Sequence, residues 1–233
     1  EILRPRDEQR DTGFDVALVE PDGERTFVTS LGAESVLDAR HWAAVPVGQR
    51  DAVYVSGYGL AAAGSGPVLG AWAAGLPGEA LLFVDPGPLA AEIPSRVFGP
   101  VLARCDWLSC NQREAGLLSG SDDPAGAAAR LLAGGGPGGR AGPAGVVVRA
   151  GAAGCVVAHG DRITSIRTPE VTVVDTTGAG DAHSGVFLAG LAAGFTPEEA
   201  ARRANVAAAL AVTRPGPATA PTRAQLDAFL GAR

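Results

Sequence analysis

The residues best placed to do chemistry are Thr176-Thr177-Gly178-Ala179-Gly180-Asp181, set between an apolar run, Val171 to Val174, and an Ala-rich segment of helical character. Gly178 and Gly180 remove side chains where a backbone must approach something closely or take unusual dihedrals. A helix starting near Asp181 would point unpaired N–H groups and the positive end of its dipole into that turn. Such a turn is an anion site, and phosphate is its common occupant. An acid in that position has two readings. Asp181 is either the helix N-cap, for which Asp is among the best residues, or a general base. As a base it would take a proton from a substrate hydroxyl while the Gly178, Ala179 and Gly180 amides hold the charge developing on a transferring phosphoryl group.

Composition removes several other chemistries. All 19 basic residues are Arg, so there is no Schiff-base lysine and no P-loop of the G-x-x-x-x-G-K-[ST] type. Any grip on phosphate must come from backbone amides, Arg and metal. The net charge of −6 argues against a nucleic-acid surface. Cys105, Cys110, Cys155, His41, His159 and His183 are too few and too scattered for a zinc site. Three buried thiols fit a reducing, cytoplasmic setting, and no apolar run is long enough to span a membrane. The chain contains no Met and opens on a charged run, EILRPRDEQRD, so we expect a fragment of a longer protein.

The elements that must position the motif follow from periodicity. Residues 1–12 read as a loop. GFDVALVE and ERTFVTS are two strands joined by a Pro21-Asp22-Gly23 turn. A short helix is expected around Leu37 to Trp42, then a strand in DAVYVSG and a Gly/Ala-rich helix to about Gly75. A further strand ends at Asp85, and VLARCDWLSCNQREAGLLSG reads helix, strand, helix. A helix from Pro124 to Ala133 leads into a linker-like loop, GGGPGGRAGPAG, and then strand GVVVR. CVVAHG and RITSI form a second hairpin, and the apolar run VTVV enters the motif. Helices over 180–194, 197–212 and 222–230 close the chain. This strand–helix alternation predicts an α/β fold, a mainly parallel sheet covered on both faces, with binding loops at the carboxyl ends of its strands. At 233 residues one domain is expected.

The motif Asp175 to Asp181, DTTGAGD, followed by a small-residue helix, resembles the C-terminal signature of the ribokinase (PfkB-type) carbohydrate kinase family. The resemblance runs from about Gly13 to the C-terminus. It implies a three-layer α/β/α ribokinase-like domain with a small β-strand lid at about 13–31, a nucleotide-binding half at about 105–233, and an N-terminal segment not represented here. By this likeness Asp181 is the catalytic base and Gly178, Ala179 and Gly180 form the anion hole. Asn111 to Glu114 matches the family's N-x-x-E, which implies that Asn111 meets the nucleotide and that Glu114 positions Mg²⁺ largely through water; read alone, the same four residues are a capping box. Arg149, Gly151 and Gly154 match a strand-turn that lies along the nucleotide, although Arg149 stands where many members have Thr or Lys. Asn205 and Ala208 fall where members contact the adenine or ribose region. Asp175 and Thr177 match ligands of a K⁺ site in members that use one.

The implied activity is transfer of the γ-phosphoryl group of ATP, with Mg²⁺, to a hydroxyl of a small sugar or sugar derivative, in a protein that could dimerise through its lid strands. A nucleoside kinase shares these motifs, and a non-catalytic ligand-binding relative shares the fold. Two departures bear on the acceptor. Gly87 replaces the Asn of a D-P-N strand end, and Gly57 and Tyr58 occupy a region where ribokinases place a Glu that touches the sugar. His183 stands where an apolar residue is commoner, so it is expected to pack.

Overall fold

Alternation of side chains along each strand builds the molecule. In the computed structural model, which describes residues 7–19, 25–134 and 142–231, Leu82, Val84, Leu108, Cys110, Val146, Val148, Val156 and Ala158 face one apolar cluster. Phe83, Trp107, Val147, Cys155 and Val157, the residues between them, face a second. Successive Cβ atoms on a strand point to opposite faces, so this sheet is covered on both. The fold is three-layered.

A separate two-stranded antiparallel sheet comes first, β1 (Phe14–Val19) and β2 (Arg25–Ser30); it is the lid, and the expected Pro21-Asp22-Gly23 turn lies outside the described residues. The central sheet has six strands in sequential order: β3 (Ala52–Ser56), β4 (Leu81–Asp85), β5 (Trp107–Asn111), β6 (Gly145–Arg149), β7 (Cys155–His159) and β8 (Arg162–Ile166). β3 to β6 are parallel, and β7 and β8 close the sheet as the expected antiparallel hairpin. The helices are α1 (Ala39–Ala43), α2 (Gly57–Ala61), α3 (Gly66–Ala74), α4 (Ser95–Arg104), α5 (Gln112–Ser119), α6 (Pro124–Leu132), α7 (Ala179–Ala192), α8 (Pro197–Ala211) and α9 (Arg223–Gly231). Residues of α2 to α6 build the first cluster, and those of α7 and α8 the second. Among the described residues no helix is long and apolar enough to cross a membrane.

Two expectations differ from the structure, and the path of a third segment becomes clear. The helix expected to reach Gly75 is two, because Pro67 has no N–H and fits only the first turn of a helix, which restarts at Gly66. Around Leu37 to Trp42, a 3-10 turn over Ala33–Val36 precedes α1, which starts after the Asp38 cap. The apolar run Val171–Val174 joins no strand. Val173 and Val174 are exposed, and the N–H groups of Val174 and Asp175 bond the carbonyl of Val212 at 2.8 and 3.1 Å. The run is an arm laid on the end of α8. Part of the linker-like loop, residues 135–141, lies outside the described residues, as do residues 1–6.

One anchor fixes the key helix. Phe187 of α7 is fully buried, edge-on to Trp107 at 5.0 Å and 6.1 Å from Phe83. Burying such a ring contributes roughly 1.5–3 kcal/mol, and it pins α7 to the sheet about one and two-thirds turns beyond Asp181.

Candidate active site

The N-terminus of α7 is built by glycine. Gly178 is the N-cap, at φ +77, and a Cβ there would lie 2.1 Å from the Pro217 carbonyl oxygen. Only glycine fits both demands. Asp181 is therefore in the first turn, three residues past the cap, and the N-cap reading of this acid is corrected: the position is taken by Gly178 and carries no side-chain cap bond. Asp181 is exposed, and among the described residues its carboxylate has no hydrogen bond or ion pair. The Ala179 N–H closes the preceding turn on the Thr176 carbonyl at 3.2 Å.

Asp175 holds that turn in place. Its Oδ1 accepts from the Thr177 N–H at 2.9 Å and the Thr177 hydroxyl at 2.7 Å. Its Oδ2 accepts from the Gly216 N–H at 2.9 Å, joining the motif to the loop after α8.

Beneath the turn lies a buried polar hub that the sequence reading missed. Arg149, at the carboxyl end of β6, donates through Nη1 to Asp85 Oδ2 at 2.6 Å, Ser109 Oγ at 2.5 Å and Ser184 Oγ at 3.0 Å. Its Nη2 lies 3.5 Å from Glu114 Oε2. Ser184 also donates to Asp85 at 3.2 Å. The guanidinium carbon would be 3.7 Å from a Cβ on Gly180, so the charge sits directly under the first turn of α7. Buried polar groups of this kind persist only when paired. The readable signal was a Ser in the apolar strand Trp107–Asn111 and another three residues after Asp181.

Glu114 caps α5 and faces the same hub. Its Oε2 accepts the Asn111 N–H and its Oε1 the Asn111 amide, both at 2.7 Å, while Asn111 Oδ1 accepts the Glu114 N–H at 2.8 Å. The capping box is thus present. Burial raises the Glu114 pKa, opposed by the Asn111 N–H and by Arg149. Both oxygens are already acceptors, so their remaining lone pairs suit contact with a hard cation through water. Among the described residues no group of three or more His, Cys, Asp or Glu forms a metal cluster.

Two hollows meet at the α7 N-terminus. A polar cleft of about 650 Å³ is lined by residues including Phe27, Tyr58, Asn111, Glu114, Gly180 and Asp181. A more apolar pocket of about 540 Å³ is lined by Gly151, Pro169, Val171, Val173, Ala179 and Ala208, among others. Thr176 lines both. Of the residues expected to touch a nucleotide, Gly151 and Ala208 line the apolar pocket, and Asn111 and Arg149 the polar cleft. Asn205 and Gly154 line neither. Asn205 is 3 % exposed and its amide holds the carbonyls of Ile166 and Arg167 at 2.8 and 3.3 Å. Gly154, at φ +95, packs where a Cβ would meet the Ile166 carbonyl at 2.1 Å. Both shape the pocket wall from behind. His183 is buried and stacks on Phe187, with centroids 6.2 Å apart.

Known proteins agree with this architecture. Residues 4–224 match the family described as pfkB family carbohydrate kinase. An uncharacterized sugar kinase of Escherichia coli K12, YegV, is 33% identical over 216 residues, covering 93% of this chain and 66% of that protein. The chain therefore spans just under two thirds of this relative's length. The crystal structure of a ribokinase from Thermotoga maritima superposes with a TM-score of 0.74 at 25% identity, over 95% of this chain and 70% of that one. An adenosine kinase from Sinorhizobium meliloti gives 0.78 at 23% identity, over 100% and 69%, a likeness of fold. With the DTTGAGD turn at a helix N-terminus and a sheet of this order beneath it, the chain belongs to the pfkB family of carbohydrate kinases.

Proposed function

We propose that this chain is the catalytic and nucleotide-binding part of a kinase that transfers the γ-phosphoryl group of ATP to a hydroxyl of a small sugar or sugar derivative. The observation that carries the reading is the position of Asp181. A carboxylate unpaired among the described residues stands in the first turn of a helix whose N-terminus separates an apolar pocket from a polar cleft. The adenine ring fits the pocket beside Ala208 and Gly151, and the acceptor fits the cleft. The phosphates then cross the α7 N-terminus, where first-turn N–H groups and the helix dipole favour negative charge.

In this arrangement Asp181 takes the proton of the acceptor hydroxyl as its oxygen attacks phosphorus, and the Gly178–Gly180 turn stabilises the transferring group. Arg149 keeps a positive charge under that turn. Glu114 would hold Mg²⁺ through water, and the ion would offset the charge of the triphosphate when bound. Asp175 and Thr177 would contribute to a K⁺ site.

The lid fits the same scheme. β1 pairs with β2 so that Ala17 and Phe27 share one face, and Phe27 lines the cleft. Phe14, Val16, Leu18 and Val28 lie on the other face and are 47 to 63 % exposed. That apolar face is suited to a second copy of the chain. Residues 1–233 form one domain in this reading, with the lid at about 13–31. A nucleoside acceptor is the second reading, and the aromatic side chains of the cleft, Phe27, Tyr54 and Tyr58, favour it.

The test is ADP release by the full-length protein with MgATP over a panel of sugars, sugar phosphates and nucleosides, with Asp181→Asn as control. Turnover that depends on Asp181 supports the kinase reading. ATP binding with no turnover on any acceptor would instead favour a non-catalytic binding protein.

A further inference from the structure

We infer that the acceptor is an uncharged molecule presenting an apolar face, held against an aromatic wall made by Phe27, Tyr54 and Tyr58. This deepens the kinase reading above and rests on it. The wall is assembled by backbone design. Tyr54, on β3, is fixed by stacking on Phe83 with ring centroids 5.9 Å apart and planes 22° off parallel. Tyr58 is carried over the cleft by Gly57, whose backbone packs so tightly on the β4 exit that a Cβ would lie 1.8 Å from the Pro86 carbonyl oxygen. The Tyr58 ring then rests beside Gly87, a glycine at φ +60, with Cε2 3.7 Å from where its Cβ would be. Phe27 reaches in from β2 of the lid. All three residues keep exposed surface, at 51 %, 42 % and 57 %, and all three line the cleft. Burial raises the pKa of both phenols, and both rings stay neutral.

The rest of the cleft decides the charge. Asp85, Glu114 and Asp181 line it, and Arg149 is the single cation among the described residues that line it. That guanidinium is already bound to Asp85, Ser109 and Ser184 through Nη1 and faces Glu114 through Nη2. No Lys exists in these 233 residues to replace it. A phosphate or carboxylate on the acceptor would meet an excess of carboxylates, and beside it a triphosphate whose own charge takes up the Mg²⁺. Like charges brought together in this way discriminate between ligands by repulsion.

The experiment compares matched acceptors that keep a free primary hydroxyl, using full-length protein and MgATP: D-fructose against D-fructose 6-phosphate, D-galactose against D-galactonate, with adenosine alongside. The expected result is a kcat/KM for the neutral member about 100-fold or more above that of its anionic partner. Tyr58→Ala should raise the acceptor KM about 10-fold, leave the KM for ATP unchanged, and be largely rescued by Tyr58→Phe. Turnover on adenosine alone assigns the stacked face to a base, and turnover on the sugars assigns it to a sugar ring; both support the inference. A faster reaction with an anionic acceptor, or an acceptor KM indifferent to Tyr58→Ala, overturns the inference and leaves the kinase reading standing. Silence on every acceptor with ATP still bound overturns both.

Discussion

Arg149 reaches Ser184 at 3.0 Å, a bond that ties the carboxyl end of β6 to the helix bearing Asp181, one turn below the carboxylate. The same nitrogen holds Asp85 at 2.6 Å, so strands β4 and β6 and helix α7 meet at one guanidinium. The Asp85 and Glu114 side chains are only 10 % and 5 % exposed. Removing their partner leaves buried charge uncompensated, which costs about 3–5 kcal/mol. Arg149→Met should lower the urea midpoint accordingly, and Arg149→Met with Asp85→Asn should recover much of the loss. A single variant as stable as the parent would show that the hub does not hold the site together.

Asp181→Asn separates chemistry from architecture. The side chain is exposed and unpaired among the described residues, so the melting temperature should stay within about 1–2 °C of the parent, as surface substitutions do. The turnover number should fall about 10² to 10⁴-fold, the usual contribution of a general base.

Gly178→Ala should fail differently. Its backbone is at φ +77 and its Cβ would meet the Pro217 carbonyl, so the turn must move to admit a methyl group. Strain of this kind costs on the order of 1–3 kcal/mol. Displaced donors at the transferring group cost roughly 10² to 10³ in rate. Thermal unfolding and kcat should therefore fall together, whereas Asp181→Asn lowers kcat alone.

Much of this was legible in the sequence because it is local. Thr196 followed by Pro197 announces the start of α8, and Thr196 Oγ1 does accept the Glu199 N–H at 3.2 Å. Asn111 and Glu114 announce their capping box in the same way. The apolar strands and the glycine turn before Asp181 were equally direct. The hub was not legible, since Asp85, Ser109, Arg149 and Ser184 converge from four elements and no spacing along the chain records it. Val171–Val174 shows the opposite limit. Its composition suits a strand, but its hydrogen bonds go to the end of α8 and the sheet closes at β8 without it. The Asn205 carboxamide shows a third limit: the family resemblance set it near the nucleotide, and only the fold reveals that its amide donates to the carbonyls of Ile166 and Arg167.

Ala208 offers a test of the nucleotide side alone. It lines the apolar pocket with Ala179, Ala209 and Val212, where small side chains leave room for a flat ring. Ala208→Trp should fill that space and raise the KM for ATP about 10-fold or more, since a well-filled pocket admits little extra volume. The acceptor KM should hold steady, because the polar cleft lies across the α7 N-terminus. Equal changes in both constants would place the adenine elsewhere.

His183 gives the chain a pH dependence whose sign can be worked out. The ring is 3 % exposed, and neither nitrogen has a hydrogen-bond partner among the described residues. Burial, and then the charge of Arg149, pushes its pKa from 6.5 down to about 3, with Asn205 acting in the other direction. Above pH 6.5 the imidazole is neutral in both the folded and unfolded chain and costs nothing in protonation. As pH falls from 6.5 toward 3 only the unfolded chain takes up the proton, so stability is lost across that window, by up to about 1.4 kcal/mol per pH unit. His183→Leu removes the titrating group and the unpaired nitrogens while keeping an apolar side chain in the packing. The difference in unfolding free energy between parent and variant, measured from pH 8 to pH 4.5, should widen steadily below about pH 6.5. A constant difference would mean that the folded protein admits the proton, either by opening α7 or by finding the ring an acceptor.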